Sequence, residues 1–329
     1  MLLLGASGLL GHNVLLRLLA EGHYVKALVR KPEAVGIKDD MLDVVEGQLT
    51  DDQALSAAAV GCEAIVNCAG VTDMSLLHCD DYNAINRDLC ATLVNEIMPH
   101  SGIKTLVHVS TVNTIGYGTA ESFADEAEPM RPPFAGSFYA DSKRAGEQAV
   151  IEAAHRHAGD WHVVIVNPGF MLGPWDAKPS SGRMLLAAYR RPLMLAPKGG
   201  KAFVHVGDVA QAVVAALTKG TNGQRYIAVN SNACLSIREL YLLQAEVMGY
   251  RQFIIEVPNW MLALAGRVGD VLRAMGVRTE VSTRNVRQLM VREYYNNRRA
   301  VEELGMSSTP IAKAIEAFYD WRTNNTAKI

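Results

Sequence analysis

Tyr139 and Lys143, in the run Phe138-Tyr-Ala-Asp-Ser-Lys143, are the residues whose types and spacing point first to chemistry. Four positions apart, they share one face of a helix. A free tyrosine titrates near pH ~10, too high for acid–base work at neutral pH. A neighbouring ammonium favours the phenolate and draws that value toward the working range. Upstream, an apolar run ends in two hydroxyls, Ser110 and Thr111. Strand-end hydroxyls and a tyrosine–lysine pair on the next helix suit proton transfer to or from a substrate oxygen. The spacing alone arises by chance in many chains, but no other tyrosine here has a lysine four residues on.

A second constellation opens the chain. The short apolar run before Gly5 breaks into three glycines at three-residue spacing, Gly5, Gly8 and Gly11, and a helical pattern starts at once through Leu10, Val14, Leu15 and Leu18. Strand, glycine turn and helix N-terminus together let backbone approach a pyrophosphate without a Cβ in the way, while free N–H groups and the helix dipole attract the anion. The cradle runs through Gly5, Ser7, Gly8, Leu9, Leu10 and Gly11. After the next strand stands Arg30, where an acidic residue would accept hydrogen bonds from the ribose hydroxyls of NAD. A guanidinium suits a 2′-phosphate instead, so NADP(H) is expected, with NAD(H) as the alternative. The small residues Cys68, Ala69 and Gly70 follow a further strand and suit a cofactor-facing turn.

These residues need a scaffold. Strand patterns over 23–29, 42–45, 64–66 and 105–109 alternate with helical ones after Gly11 and over 51–60, 81–98 and 137–157. That alternation predicts an α/β fold with a doubly wound parallel Rossmann sheet, whose ligands bind beyond the C-terminal ends of the strands. A Pro-rich acidic stretch over 120–133 is expected to be a surface loop or lid. With 329 residues, 49% of them hydrophobic, the chain makes one large domain or two. A net charge of −2 argues against nucleic acid or an anionic membrane surface as a partner. Five cysteines without a C-x-x-C pair fit reduced thiols and a cytoplasmic location. The apolar start is interrupted by glycines and Arg17, unlike a signal peptide, and no membrane span is expected. The amphipathic stretch 259–275 is expected to pack on the core rather than on a membrane. No metal site is expected, since His155 and His157 face apart on a helix.

Together, Gly5-Ala-Ser-Gly-Leu-Leu-Gly11, Ser110-Thr111 and Tyr139-x-x-x-Lys143 resemble the extended short-chain dehydrogenase/reductase superfamily. Asn167-Pro-Gly-Phe-Met-Leu-Gly-Pro174 is similar to its segment beside the nicotinamide, and Phe203 to Ala210 to the segment that returns to the cofactor domain. Val29-Arg30 and Lys178 to Met184 look most like its dihydroflavonol-reductase-like members. The resemblance implies that Tyr139 exchanges a proton with a carbonyl or alcohol oxygen, that Lys143 binds the nicotinamide ribose, and that Thr111, with Ser110 beside it, holds the same oxygen. Asn86 would be a structural or proton-relay residue. Pro168, Gly169, Phe170 and Met171 would lie beside the nicotinamide, and Gln48 and Leu49 near the adenine, where relatives usually carry Asp in place of Gln48.

The resemblance also implies two lobes: a cofactor domain over 1–169 with about 203–222, and a substrate lobe over about 170–202 and 223–329. Met74, Tyr117, Phe138, Trp175 and Arg183, with Phe170 and Met171, would line a fairly apolar substrate pocket. The expected activity is hydride transfer between NADP(H) and a ketone or secondary alcohol. The runner-up is a nucleotide-sugar epimerase or dehydratase that recycles its cofactor. Those enzymes usually place Asn where Phe170 stands, although Arg183, Arg190 and Arg191 keep a diphosphate partner open. A non-catalytic NADP-binding sensor would have lost Tyr139 or Lys143. In many relatives the helices over 81–98 and 137–157 make a dimer contact, so a homodimer is the assembly the resemblance suggests.

Overall fold

In the computed structural model, which describes residues 1–177 and 179–325, the glycine turn leaves the end of a three-residue strand, Leu2–Leu4 (β1), buried on both faces. Lys178, part of the stretch similar to dihydroflavonol-reductase-like proteins, lies outside the described residues. From β1 the chain runs through helix Leu9–Ala20 (α1), strands Val25–Val29 (β2) and Leu42–Glu46 (β3), helix Asp52–Ala59 (α2) and strand Ala64–Asn67 (β4). A helical run over 80–101 (α3) follows, in which Ala84–Asp88 and Leu93–Ile97 are π-turns. Then come strand Thr105–Val109 (β5), helix Phe138–Arg156 (α4) and strand His162–Pro168 (β6).

Beyond β6 the chain enters a second lobe with strand Phe170–Leu172 (β7), helix Gly182–Ala188 (α5) and strands Leu193–Pro197 (β8) and Gly200–His205 (β9). It returns through helix Val206–Ala215 (α6), which packs on α1, and strand Arg225–Ala228 (β10). The large sheet is parallel, seven strands in the order β10-β6-β5-β4-β1-β2-β3. The order reverses at β1 and β4, so a crevice opens beyond their C-terminal ends, where the glycine turn lies. Alternating side chains divide between two cores. Leu3, Val66, Val107 and Val164 pack with α1 and α6, while Leu2, Leu4, Ile65 and Leu106 pack with α2, α3 and α4.

The second lobe is completed by strand Cys234–Ser236 (β11), helix Ile237–Val247 (α7), strand Phe253–Val257 (β12) and helices Asn259–Ala274 (α8), Thr283–Gln288 (α9), Arg298–Leu304 (α10) and Ile311–Asn325 (α11). Sheets β11-β9-β7 and β12-β8 lie here, over a core of Leu172, Leu185, Phe203, Leu240, Ile315 and Phe318.

Two expectations are corrected, and a third gains detail. Strand β10 belongs to the large sheet, and Ala300 and Leu304 of α10 pack in its core, so these parts of 223–329 lie with the cofactor domain rather than the second lobe. The 120–133 stretch is a largely exposed loop, and it is pinned at two points. Ala124 is bridged to Tyr295, and the buried Glu126 carboxylate accepts the Ile227 amide of β10 at 3.0 Å. The Arg225 guanidinium also donates to the Glu126 carbonyl. Finally, α8 does not bury its apolar face: only Gly266 and Gly269 are buried, and its large apolar residues face outward. Among the described residues no helix is long and apolar enough to cross a membrane, and no cluster of His, Cys, Asp or Glu is arranged to hold a metal.

Candidate active site

The glycine turn is shaped by close approach. Gly5 has φ +84°, and a Cβ there would meet the backbone of Cys68 and Ala69 at 2.8 Å. A Cβ on Gly11 would stand 2.0 Å from the Gly5 carbonyl oxygen. At Gly8 the nearest atom to such a Cβ is 3.4 Å away, and Ser7 and Gly8 are exposed on the outer side of the turn. Gly8 caps α1 without a side-chain hydrogen bond, leaving the first amides, those of Leu9 and Leu10 included, directed past the turn. Inner glycines that admit no Cβ and an outer one facing open space fit a pyrophosphate at the helix N-terminus.

The neighbouring strand ends complete the crevice. Arg30 is exposed directly past β2, and Gln48 is exposed past β3 with Leu49 packed beside α2. Past β4, the Ala69 amide is tied to the Asn67 side chain at 3.1 Å, and burial pushes the Cys68 thiol up to about 12, keeping it protonated.

Beyond β5 stand the two hydroxyls. The Ser110 Oγ is buried with no hydrogen-bond partner among the described residues. Thr111 Oγ1 accepts the Asn113 amide at 3.3 Å. Burial pushes the Tyr139 phenol above its ordinary value, and the Thr111 side chain opposes the rise. Lys143 lies one turn further along α4, buried, its Nζ donating to the Val109 carbonyl at 2.7 Å. Burial pulls the ammonium below its usual value, against the pull of Cys90, Glu147 and Cys68. Desolvation is thus the largest influence on both groups. The phenol is held up by desolvation, and the ammonium is anchored on a carbonyl.

Asn86 lies in the first π-turn of α3, a backbone irregularity that recurs at functional sites. Its side chain clamps Val71 through both backbone groups, at 2.8 and 3.0 Å, and donates to Ser142 Oγ at 3.0 Å. It therefore fixes the turn after Gly70 against the helix that carries Tyr139 and Lys143. A Cβ on Gly146 would lie 2.0 Å from the Asn86 carbonyl oxygen, so α3 and α4 approach backbone to backbone only because glycine stands there.

One feature under the site escapes sequence reasoning. Glu147, fully buried, accepts Thr114 Oγ1 and Asn167 Nδ2, each at 2.8 Å, and pairs with Arg144 at 2.8 Å and Arg225 at 3.4 Å. Asn167 Nδ2 also lies 3.1 Å from the Thr111 carbonyl. This network fixes the backbone of the hydroxyl-bearing loop from below. The available signal was Glu147 on the same helical face as Tyr139 and Lys143, a face that must pack on the sheet.

The residues assigned to substrate divide into two groups. Met74 and Phe138 stand beside Tyr139 with Leu76, Tyr82, Arg273 and Arg284. A cleft of about 660 Å³ opens next to them, lined by Phe138, Pro133, Asp270, Arg273, Arg284 and Arg287. The Arg284 guanidinium stacks over the Phe138 ring at 3.7 Å. Arg273 of α8 donates to the carbonyls of Ser75 at 3.1 Å and Thr279 at 2.7 Å, and also to that of Leu76.

The others lie elsewhere. Trp175, with φ +70°, stacks on His12 of α1 at 3.8 Å. Tyr117 packs edge-on against Phe134 and donates to the Pro132 carbonyl at 3.2 Å. Arg183 pairs with Glu280 at 2.6 Å. Past Pro168, Gly169 abuts the Ala202 carbonyl, Phe170 packs edge-on to Phe203 in the second-lobe core, and Met171 packs against the first. Sequence reasoning missed Arg273, Arg284 and Arg287, because only the folding of the second lobe brings them to the cleft beside Phe138.

Known proteins resemble this chain along nearly its full length. A Synechocystis protein provisionally named dihydroflavonol 4-reductase is 28% identical over 98% of this chain and 94% of its own. Sterol demethylase protein B of Methylococcus capsulatus is 27% identical over 97% of both. A 4-hydroxy-2-methyl-3-oxo-4-farnesyl-3,4-dihydroquinoline-1-oxide ketoreductase of Stigmatella aurantiaca is 28% identical over 82% of this chain and 79% of its own. In fold, the UDP-glucose 4-epimerase of Thermotoga maritima superposes with a TM-score of 0.78 at 17% identity, covering 99% of each chain. The family described as NAD dependent epimerase/dehydratase matches residues 1–230. The chain belongs to that family, and it is an NAD(P)-dependent oxidoreductase of the extended short-chain dehydrogenase/reductase type.

Proposed function

We propose that the protein interconverts a ketone and a secondary alcohol with NADP(H), on a large and mostly apolar substrate. The observation that carries this reading is the Tyr139 phenol, kept protonated by burial at the edge of a cleft, with the Lys143 ammonium one turn on beside Gly70, in the turn that packs on the glycine cradle. When bound, the cofactor supplies or accepts the hydride at its nicotinamide. The backbone from Gly5 to Gly11 holds the pyrophosphate and Arg30 the 2′-phosphate, while Gly70, Lys143, Ser110 and the Pro168–Met171 backbone receive the nicotinamide end. Thr111 orients the substrate oxygen and Tyr139 donates its proton to it, or takes one from the alcohol. Asn86 and Glu147 keep these groups in place. Phe138 and Met74 supply apolar walls, and relatives named for a sterol and a farnesyl compound support a substrate of that character.

NADPH oxidation against sterol-like and other apolar ketones tests the proposal. Tyr139→Phe should lower turnover by about 10²–10⁴-fold while cofactor binding persists. Arg30→Asp should weaken NADPH by about tenfold or more and spare NADH, since a charge-assisted bond to the 2′-phosphate becomes a repulsion. Cofactor binding without consumption of any ketone would sink the reductase reading.

A second reading, a nucleotide-sugar epimerase or dehydratase, draws on Arg284 and Arg287 in the cleft, which would suit a diphosphate. It predicts conversion of a UDP-hexose without net change in the cofactor.

A further inference from the structure

Helix α8 packs with its smallest residues inward. A Cβ on Gly266 would meet the Thr283 backbone at 2.9 Å, and one on Gly269 the Val281 carbonyl oxygen at 2.0 Å. The large side chains point the other way. Trp260, Leu264, Val268, Val271 and Met275 recur at three- and four-residue spacing, so they form one stripe, and all are exposed, Trp260 by 68% and Met275 by 74%. The two-stranded sheet leading into α8 extends the apolar character. Phe253 pairs with Leu193 and Ile255 with Leu195, and these four side chains are exposed as well. Apolar surface of this extent marks a contact.

The border of the stripe identifies the contact. Between 251 and 292 the chain carries seven arginines and three acidic residues, within a protein of net charge −2. Arg267 flanks the stripe, Arg278 stands in the turn beyond it, and Arg287 lies on α9. All three are exposed, and none shares an ion pair among the described residues. Two of the three acidic groups are already engaged: Asp270 accepts the Thr283 amide at 3.0 Å, and Glu280 pairs with Arg183. A second copy docked by this face would bring a second set of the same arginines to the seam, with few acidic groups there to offset them. Anionic lipid headgroups complement them, and an apolar stripe with a terminal tryptophan and basic flanks is built to lie in a bilayer interface.

We propose that α8, with the exposed face of β8 and β12, is a docking surface for an anionic lipid bilayer, on which the helix lies flat. Asp270 and Arg273 of the same helix line the cleft, so docking sets its mouth at the membrane surface. The inference is independent of the reductase reading, because its test needs no turnover.

The full-length protein is floated with phosphatidylcholine vesicles, with and without phosphatidylglycerol. Binding is expected to the anionic vesicles and to be weaker on the neutral ones. Leu264→Glu with Val271→Glu, and separately Arg267→Glu with Arg278→Glu, should each reduce binding to anionic vesicles by about tenfold or more, with melting temperature and cofactor binding unchanged. The arginine pair, fully at the surface, keeps the test intact if the glutamate pair in the stripe perturbs folding. Absence of flotation on either vesicle overturns the proposal, as does binding that both double variants leave intact. A dimer that the Leu264→Glu, Val271→Glu variant dissociates would assign the stripe to a second copy instead.

Discussion

At the scale of single residues, the site is governed by desolvation. Tyr139 is pushed up by burial and drawn back by Thr111, so the phenol carries its proton throughout the neutral range. The reduction rate should therefore hold across neutral pH and fall only as pH rises past about 10, where the proton is lost. The oxidation rate, which needs the deprotonated form, should rise over the same interval. Thr111→Val removes the hydroxyl that lowers the phenol's value, so both limbs should move further to the alkaline side. A limb that stays fixed in that variant would place the titration on another group. The same desolvation acts on Lys143, whose anchor on the Val109 carbonyl leaves its charge near the crevice rather than on the phenol.

At the scale of elements, the β1–α1 turn separates folding from binding. Gly11→Ala would drive a Cβ into the Gly5 carbonyl oxygen at 2.0 Å and should cost about 1–3 kcal/mol, read as a fall in melting temperature. Gly8→Ala meets nothing closer than 3.4 Å and should leave melting nearly unchanged while weakening dinucleotide binding by about tenfold or more. If both variants melt like the native protein and bind like it, the pyrophosphate lies elsewhere. These glycines, the strand ends and the Tyr139–Lys143 face were legible in sequence because local spacing determines them. Strand β10 was misassigned because four residues that pair edgewise with β6 carry no mark of which sheet they join. The outward face of α8 was misread because amphipathicity fixes a stripe but not what the stripe touches. Trp175 looked like a pocket residue by position, yet a left-handed backbone turns it onto His12.

At the scale of the whole molecule, one guanidinium joins the lobes. Arg273, from the second lobe, holds the carbonyls of Ser75 and Leu76 beside the cleft, and Asn285 adds a bond to the Met74 carbonyl at 3.0 Å. Losing charge-assisted hydrogen bonds to half-buried carbonyls of this kind costs on the order of 1–3 kcal/mol. Arg273→Ala should accordingly raise the substrate KM several-fold and open the 71–79 loop to proteolysis, while NADPH binding at the far side of the crevice stays intact. An unchanged KM with equal protease resistance would show that the lobes are held by other contacts.

The pinned loop over 120–133 has a consequence for how the molecule behaves in company. A sheet ends in unpaired amides and carbonyls that invite a strand from another chain. Here the outer side of β10 gives its Ile227 amide to the buried Glu126 carboxylate, and at the opposite margin β3 carries Asp43 and Glu46. Crowding therefore finds one margin of the sheet occupied by a carboxylate and the other charged, which disfavours growth into a ribbon of sheets.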